Sequence, residues 1–354
     1  MWRKVKGTLV VEAKDPKKTE GGIQQAAEII RRGGLVAFPT ETVYGLGASA
    51  FSGPSVDRIF RAKGRPGDNP LIVHIAQEDD LKELVNEKPS VVGVLAKKFW
   101  PGPLTLVLPK GPGVPPEVTA GLDTVAVRVP RHPVALALIR AAGLPIAAPS
   151  ANLSGRPSPT TAEHVLEDLA GRIQLLLDGG PCPVGLESTV LDLTGEVPLL
   201  LRPGGVTLEQ LQEALGEVRV LDPRNFKKGE APPSPGLKYR HYAPRAPMFM
   251  VEGEPSRVVK EIQKICRENR LKGRRVGLLV TEENRGQFRA EAIEVLGLRR
   301  SPEEMSARLF DSLRRLDASG VDLILAETFE ETGIGMALMN RLRKASSGRV
   351  IKAK

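Results

Sequence analysis

The chain has 354 residues, too many for one ordinary compact core, so about two domains are expected. Its 41% hydrophobic and 26% charged residues fit a soluble globular protein, and its net charge of +9 favours polyanionic partners, nucleotide or RNA, while remaining compatible with mere solubility. Cys182 and Cys266 lie far apart without a CxxC pair, which points to reduced thiols and leaves no zinc framework; no secretory core or bilayer-spanning run is evident, so the cytoplasm is the expected address.

Apolar residues at helical spacing predict a helix over 23–30, stopped by Gly33-Gly34 before a buried strand, Leu35 to Phe38. Pro39 ends that strand, and Thr40-Glu41-Thr42-Val43-Tyr44-Gly45-Leu46-Gly47 reads as a polar tip where open α/β sheets carry ligand loops. A plain turn with a capping threonine is the alternative.

A helix over about 56–62 delivers Lys63-Gly64-Arg65, two cations separated by one glycine. They repel unless water screens them or an anion with several oxygens, most commonly phosphate, sits between them. The alternative is a pair of solvated charges suited to a helix C-terminus. Asn69-Pro70 closes this loop, and Leu71 to Ile75 reads as a strand with His74 at its far end.

A further helix spans Val91 to Phe99 and ends in Trp100-Pro101-Gly102-Pro103, before a strand over Leu104 to Leu108. Thr124 to Pro130 alternates like a strand, yet Arg128 sits among apolar residues and requires a partner: a protein carboxylate, or the carboxylate of a small substrate. Leu144 to Ala148 is another strand, leading into Pro149-Ser150-Ala151-Asn152-Leu153-Ser154-Gly155. Its small side chains would leave backbone N–H groups open to a phosphate, or would simply satisfy a turn. Thr161 starts a helix; Leu175 to Asp178 and Glu187 to Asp192 read as strands, the latter opening on Ser188 and Thr189. Leu199 to Gly205 repeats the strand pattern with Arg202.

Periodicity disappears between about 221 and 247, where Ser234-Pro235-Gly236 is followed by Tyr239-Arg240-His241-Tyr242-Ala243-Pro244. Clustered tyrosines, histidine and cations prefer a surface to stack upon, so this linker is expected to fold over the first domain's site. From Met248 the pattern restarts as strand, helix, strand, helix, strand, predicting a small parallel α/β domain over 248–354. Gly333-Ile334-Gly335 does not fit the dinucleotide fingerprint and reads as a helix start.

Taken together, Pro39-Thr40-Glu41-Thr42-Val43-Tyr44-Gly45-Leu46, Lys63-Gly64-Arg65 with Asn69-Pro70-Leu71, Pro149-Ser150-Ala151-Asn152, Glu187-Ser188-Thr189-Val190 and Leu201-Arg202-Pro203-Gly204 resemble the motifs of the Sua5/YrdC family, the threonylcarbamoyl-adenylate synthases. The linker and trailing domain resemble its longer Sua5 branch. This resemblance implies a YrdC-like twisted open sheet around a large basic cavity over 1–220, a linker over 221–247 and a Rossmann-like domain after it. It implies a reaction joining L-threonine, bicarbonate and ATP to give threonylcarbamoyl-AMP and pyrophosphate. A separate transferase complex, a transient partner, then uses that adenylate to build N6-threonylcarbamoyladenosine at position 37 of tRNA.

By the same resemblance Lys63, Arg65, Thr124, Ser150, Asn152, Ser158 and Arg202 are assigned to ATP, Lys63 and Arg65 being placed for transition-state charge. Thr40, His74, Arg128, Ser188 and Thr189 are assigned to threonine. His241 and Tyr242 would close over the nucleotide. Mg²⁺ would accompany ATP, held by phosphates and water without a dedicated protein site. Two rivals share these residues: an RNA-binding protein using the same basic cavity, and a carbamoyl transferase acting on another amine.

Overall fold

The computed structural model describes residues 2–222 and 242–354. The linker segment from Ser234 through His241 therefore lies outside the described residues. Two compact units divide the chain: the first holds the described residues up to Ser154 and from Ser158 to 222, the second Gly155–Pro157 with the residues from 242 onward.

In chain order the first unit contains β1 (Trp2–Val5), β2 (Thr8–Glu12), α1 (Glu20–Arg31), β3 (Val36–Phe38), β4 (Gly45–Ser49), α2 (Gly53–Lys63), β5 (Ile72–His74), α3 (Val91–Phe99), β6 (Leu104–Pro109), α4 (Pro116–Thr119), β7 (Thr124–Arg128), α5 (Pro133–Ala142), β8 (Ile146–Ala147), α6 (Ala162–Leu169), β9 (Leu175–Asp178), β10 (Thr189–Asp192), β11 (Leu199–Arg202), α7 (Leu208–Leu215) and β12 (Arg219–Val220). The twelve strands form one mixed sheet in the order β1-β2-β9-β3-β4-β8-β5-β7-β6-β10-β11-β12. Helix α1 buries Ile23, Ala26, Ala27 and Ile30, an i, i+3, i+4, i+7 face, and packs with α5 over Val36, Phe38, Leu175 and Leu177.

Local sequence explains how α2 ends where it does. Ser52 caps its first turn by accepting from Ser55 N, and Gly64 stops it in a left-handed conformation at φ 60°. Lys63 is thus the last helical residue, fixed in direction by a rigid element.

Four adjacent strands assemble the centre of the sheet. β5 and β7 are parallel with His74 opposite Arg128; β6 is antiparallel to β7; β10 is parallel to β6 with Thr189 opposite Leu104. His74, Arg128, Thr105 and Thr189 therefore stand at one end of neighbouring strands. Thr124 and Arg128 lie on the same face of β7, about 13 Å apart at ordinary strand rise.

The structure departs from the sequence reading in several places. The segment read as a polar tip, 40–47, is buried throughout, and its second half is strand β4, paired on both sides. A Cβ at Gly47 would lie 2.7 Å from Ile146 Cγ2 and 2.8 Å from Phe38 Cε1, so glycine here permits close packing rather than a turn. Strands β1 and β2 and helices α5 and α7 were not expected from the pattern.

The second unit contains β13 (Met248–Glu252), α8 (Pro255–Leu271), β14 (Val276–Val280), β15 (Ala292–Val295), α9 (Pro302–Ala318), β16 (Leu323–Glu327), α10 (Gly335–Ala345) and β17 (Val350–Lys352). Its five strands are all parallel, in the order β15-β14-β16-β13-β17, as the restart of the apolar pattern predicts. Gly335 is a helix start: a Cβ there would meet Glu330 O at 2.2 Å. Among the described residues no helix is long and apolar enough to cross a membrane.

Candidate active site

Arg128 is 3% exposed, and its guanidinium is held from three sides. Nε donates to Gly102 O at 3.1 Å, Nη1 donates to Thr42 Oγ1 at 2.9 Å, and Nη2 forms a 2.6 Å ion pair with Glu41 Oε1, itself buried. Of the two partners the sequence left open for Arg128, the structure thus supplies the protein carboxylate. Thr40 Oγ1 donates to Val43 O at 2.6 Å, accepts from the amides of Thr42 and Val43, and lies 2.8 Å from Thr42 Oγ1. Thr40, Thr42, Glu41 and Arg128 form one connected polar group.

His74 adjoins it on β5, buried, with its ring edge-on to Phe38 at 6.0 Å. Burial, and next the Arg128 charge, push its pKa down to about 3, against an opposing pull from the carbonyls of Ile72 and Ile146. The imidazole is neutral at physiological pH, and its Nδ1 has no hydrogen-bond partner. Cys182, whose thiol is pushed up mainly by burial, and His132, pushed down by burial while Glu41 opposes, complete the surroundings.

Ser188 and Thr189 differ in availability. Ser188 Oγ shares a 2.7 Å hydrogen bond with Thr105 Oγ1 and accepts from Arg202 Nη2 at 3.2 Å, while Arg202 Nε donates to Ser188 O. Thr189 Oγ1 donates to Val206 O at 2.5 Å and accepts from Val206 N, which fixes it to the backbone. A Cβ at Gly204 would sit 2.3 Å from Thr189 N, so the glycine allows the Arg202 loop to lie against this segment.

Lys63 organises the second cluster. Its Nζ donates to Ser150 O at 2.5 Å and Asn152 O at 2.6 Å, with Asn152 Oδ1 at 3.4 Å, and Ser150 Oγ donates to that same Oδ1 at 2.6 Å. Arg65 Nη2 donates to Asn69 O and Pro70 O at 3.0 and 3.1 Å, its guanidinium 5.9 Å from the Phe60 ring centre. Both cations rest on carbonyl oxygens, so Lys63 is not the solvated helix-end charge that the bland reading offers.

The loop after β8 corrects one expectation. Ala151 N bonds Tyr44 O, Asn152 N bonds Ser150 O, Leu153 N bonds Asp168 Oδ2 and Ser154 N bonds Lys63 O, so these amides are engaged within the protein and do not form an open phosphate cradle. The Ala151–Tyr44 bond and the Gly45–Ser150 bridge tie the lysine cluster to the segment that carries Glu41 and Thr42.

Ser158 Oγ donates to Glu187 Oε1 at 2.5 Å, next to Ser188 in sequence. Tyr242 belongs to the second unit, where its ring meets Phe310 at 5.0 Å and Arg341 lies 5.8 Å over it. His241 lies outside the described residues. Among the described residues there is no cluster of three His, Cys, Asp or Glu suited to a metal ion. Sequence reasoning passed over Glu41, Thr42, Thr105 and Glu187 as functional residues. Each lies within or beside a quoted motif or strand, but only the tertiary partner gives it a role.

The features define the class: a mixed-sheet α/β protein with a buried arginine–carboxylate group beside a lysine-anchored loop, followed by a parallel-sheet unit. The chain belongs to the Sua5/YciO/YrdC family, whose model, described as "Telomere recombination", matches residues 28–204; a second, described as "Threonylcarbamoyl-AMP synthase, C-terminal domain", matches residues 206–347. The threonylcarbamoyl-AMP synthase of Bacillus subtilis (strain 168) is 54% identical over 331 residues, 93% of this chain and 94% of that protein. The one from Pyrococcus abyssi is 50% identical over 345 residues, 98% and 99% of the two chains. A crystal structure of P. abyssi Sua5 complexed with L-threonine is similar with a TM-score of 0.90 and 51% identity, covering 95% of this chain and 97% of that one.

Proposed function

We propose that this chain is a threonylcarbamoyl-AMP synthase, an enzyme of the nucleotidyltransferase type that joins L-threonine, bicarbonate and ATP and releases pyrophosphate. The observation that carries the reading is near-full-length identity of 50–54% to two synthases of that name. The similarity to a threonine-bound Sua5 supports threonine as the amino acid.

The chemistry asks for positioning and charge stabilisation more than for a nucleophilic side chain. Threonine's ammonium and bicarbonate give a carbamate, water and one proton; a carbamate oxygen then attacks the α-phosphorus of ATP and pyrophosphate leaves. Lys63 and Arg65 stabilise the phosphate charge, exchanging some of their carbonyl contacts for phosphate oxygens. Thr124, Ser150, Asn152, Ser158 and Arg202 surround the nucleotide in a basic cavity. Arg128 receives the amino-acid carboxylate, and Thr40, neutral His74 and Ser188 contact its polar groups, with Thr189 next to Ser188 in the same segment. Mg²⁺ bound with ATP would neutralise charge on the phosphates, without a dedicated protein site.

The product passes in the cytoplasm to a separate transferase that modifies tRNA at position 37. A purely RNA-binding role finds no support among these relatives. Incubation with ATP, L-threonine and labelled bicarbonate should yield a labelled adenylate that requires all three. Labelled adenylate formed equally without threonine would overturn the assignment.

A further inference from the structure

We propose that Glu41 receives the α-ammonium group of the amino-acid substrate and takes the proton that must leave that nitrogen before it can be carboxylated. The inference rests on the threonine reading above and adds a residue to it.

Glu41 is 2% exposed; its Oε1 is paired with Arg128 Nη2 at 2.6 Å, while its Oε2 has no hydrogen-bond partner. A buried carboxylate ordinarily accepts several donors, because leaving its lone pairs unused is costly. Here the guanidinium, also oriented by Gly102 O and Thr42 Oγ1, neutralises Glu41 through Oε1 and leaves Oε2 open to a donor.

An α-amino acid carries its carboxylate and ammonium on one carbon. A guanidinium and a carboxylate in direct contact are the complementary pair, and a zwitterion entering between them keeps the buried site electrically balanced. Two further features suit a cation beside Glu41. His74, next to Arg128, is neutral and so does not repel a cation there. Arg128, His132 and Cys182 interact electrostatically with Glu41, and none of these three competes as an anion. In the chemical step, bicarbonate takes up one proton and loses water to give carbon dioxide, one N–H proton moves from the ammonium to a Glu41 oxygen, the nitrogen lone pair attacks the carbon of that carbon dioxide, and the second proton lost passes to water, for a net release of one proton.

The test is calorimetric titration of the full chain with L-threonine, with 3-hydroxybutanoate, which lacks the ammonium, and with threonine amide, which lacks the carboxylate. The parent should prefer threonine to 3-hydroxybutanoate by at least about tenfold. In Glu41→Gln, that preference should fall below about threefold, with 3-hydroxybutanoate bound as well as before or better, because Arg128 no longer faces a competing anion. Equal weakening of both ligands would show that Glu41 merely props Arg128 and would overturn the proposal. ATP binding reports folding of the variant; if Glu41→Gln does not fold, Glu41→Asp, which keeps the charge, must retain the ammonium preference, and its loss overturns the proposal equally. A parent chain that binds no threonine would instead refute the functional reading.

Discussion

At the scale of single residues, His74 shows how burial sets chemistry. Its pKa falls to about 3, so between that value and the ordinary 6.5 the native state binds fewer protons than the unfolded chain. Stability therefore rises with pH across this window, and the contribution is lost as pH falls below 6.5. Replacing His74 by Gln should reduce the loss of unfolding free energy between pH 6.5 and 5 by about 2 kcal/mol, measured by urea titration. Parallel pH dependence in parent and variant would contradict the neutral imidazole. The sequence made Arg128 legible because a guanidinium among β-branched residues demands a partner. It did not make Glu41 legible as that partner: a glutamate between two threonines carries no periodic signal, and its meaning arises only when β7 brings Arg128 beside it.

At the scale of elements, β4 is the instructive failure and the helix before Lys63 the instructive success. Glycines at 45 and 47 suggest a loop, but close approach to Phe38 and Ile146 in a buried sheet demands the same residue. Gly47→Ala should therefore destabilise the protein by about 1–3 kcal/mol through overpacking and lower its melting temperature, without requiring any change in backbone conformation. A melting temperature equal to the parent's would contradict that packing. Helix α5 escaped notice because its residues are apolar on nearly every face, so no helical stripe stands out. The end of α2 was readable to within one residue: the pattern closes the helix at about Ala62, and the structure carries it to Lys63 before Gly64 stops it. What could not be read was that Lys63 would anchor the Ser150–Asn152 loop through that loop's carbonyls, since the contact joins segments remote in sequence.

At the scale of the whole molecule, the parallel sheet of the C-terminal unit was legible from the return of apolar periodicity after Met248, whereas the mixed strand order of the first unit was not. The motifs were legible, and the structure joins many of them: Thr40, through Thr42, with Arg128 and its neighbour His74, Ser188 with Arg202, and Lys63 with Ser150 and Asn152. Tyr242 was legible as an aromatic needing a surface, and the surface described for it is Phe310 and Arg341 of its own unit.

The most direct test of catalysis is pyrophosphate release from ATP by the purified chain, with threonine and bicarbonate each present or omitted, beside a Lys63→Ala variant whose folding is checked by melting. Release that requires both substrates and falls at least about 100-fold in the folded variant is the expected result. Release that is indifferent to threonine, or undiminished without the Lys63 ammonium, would contradict the account.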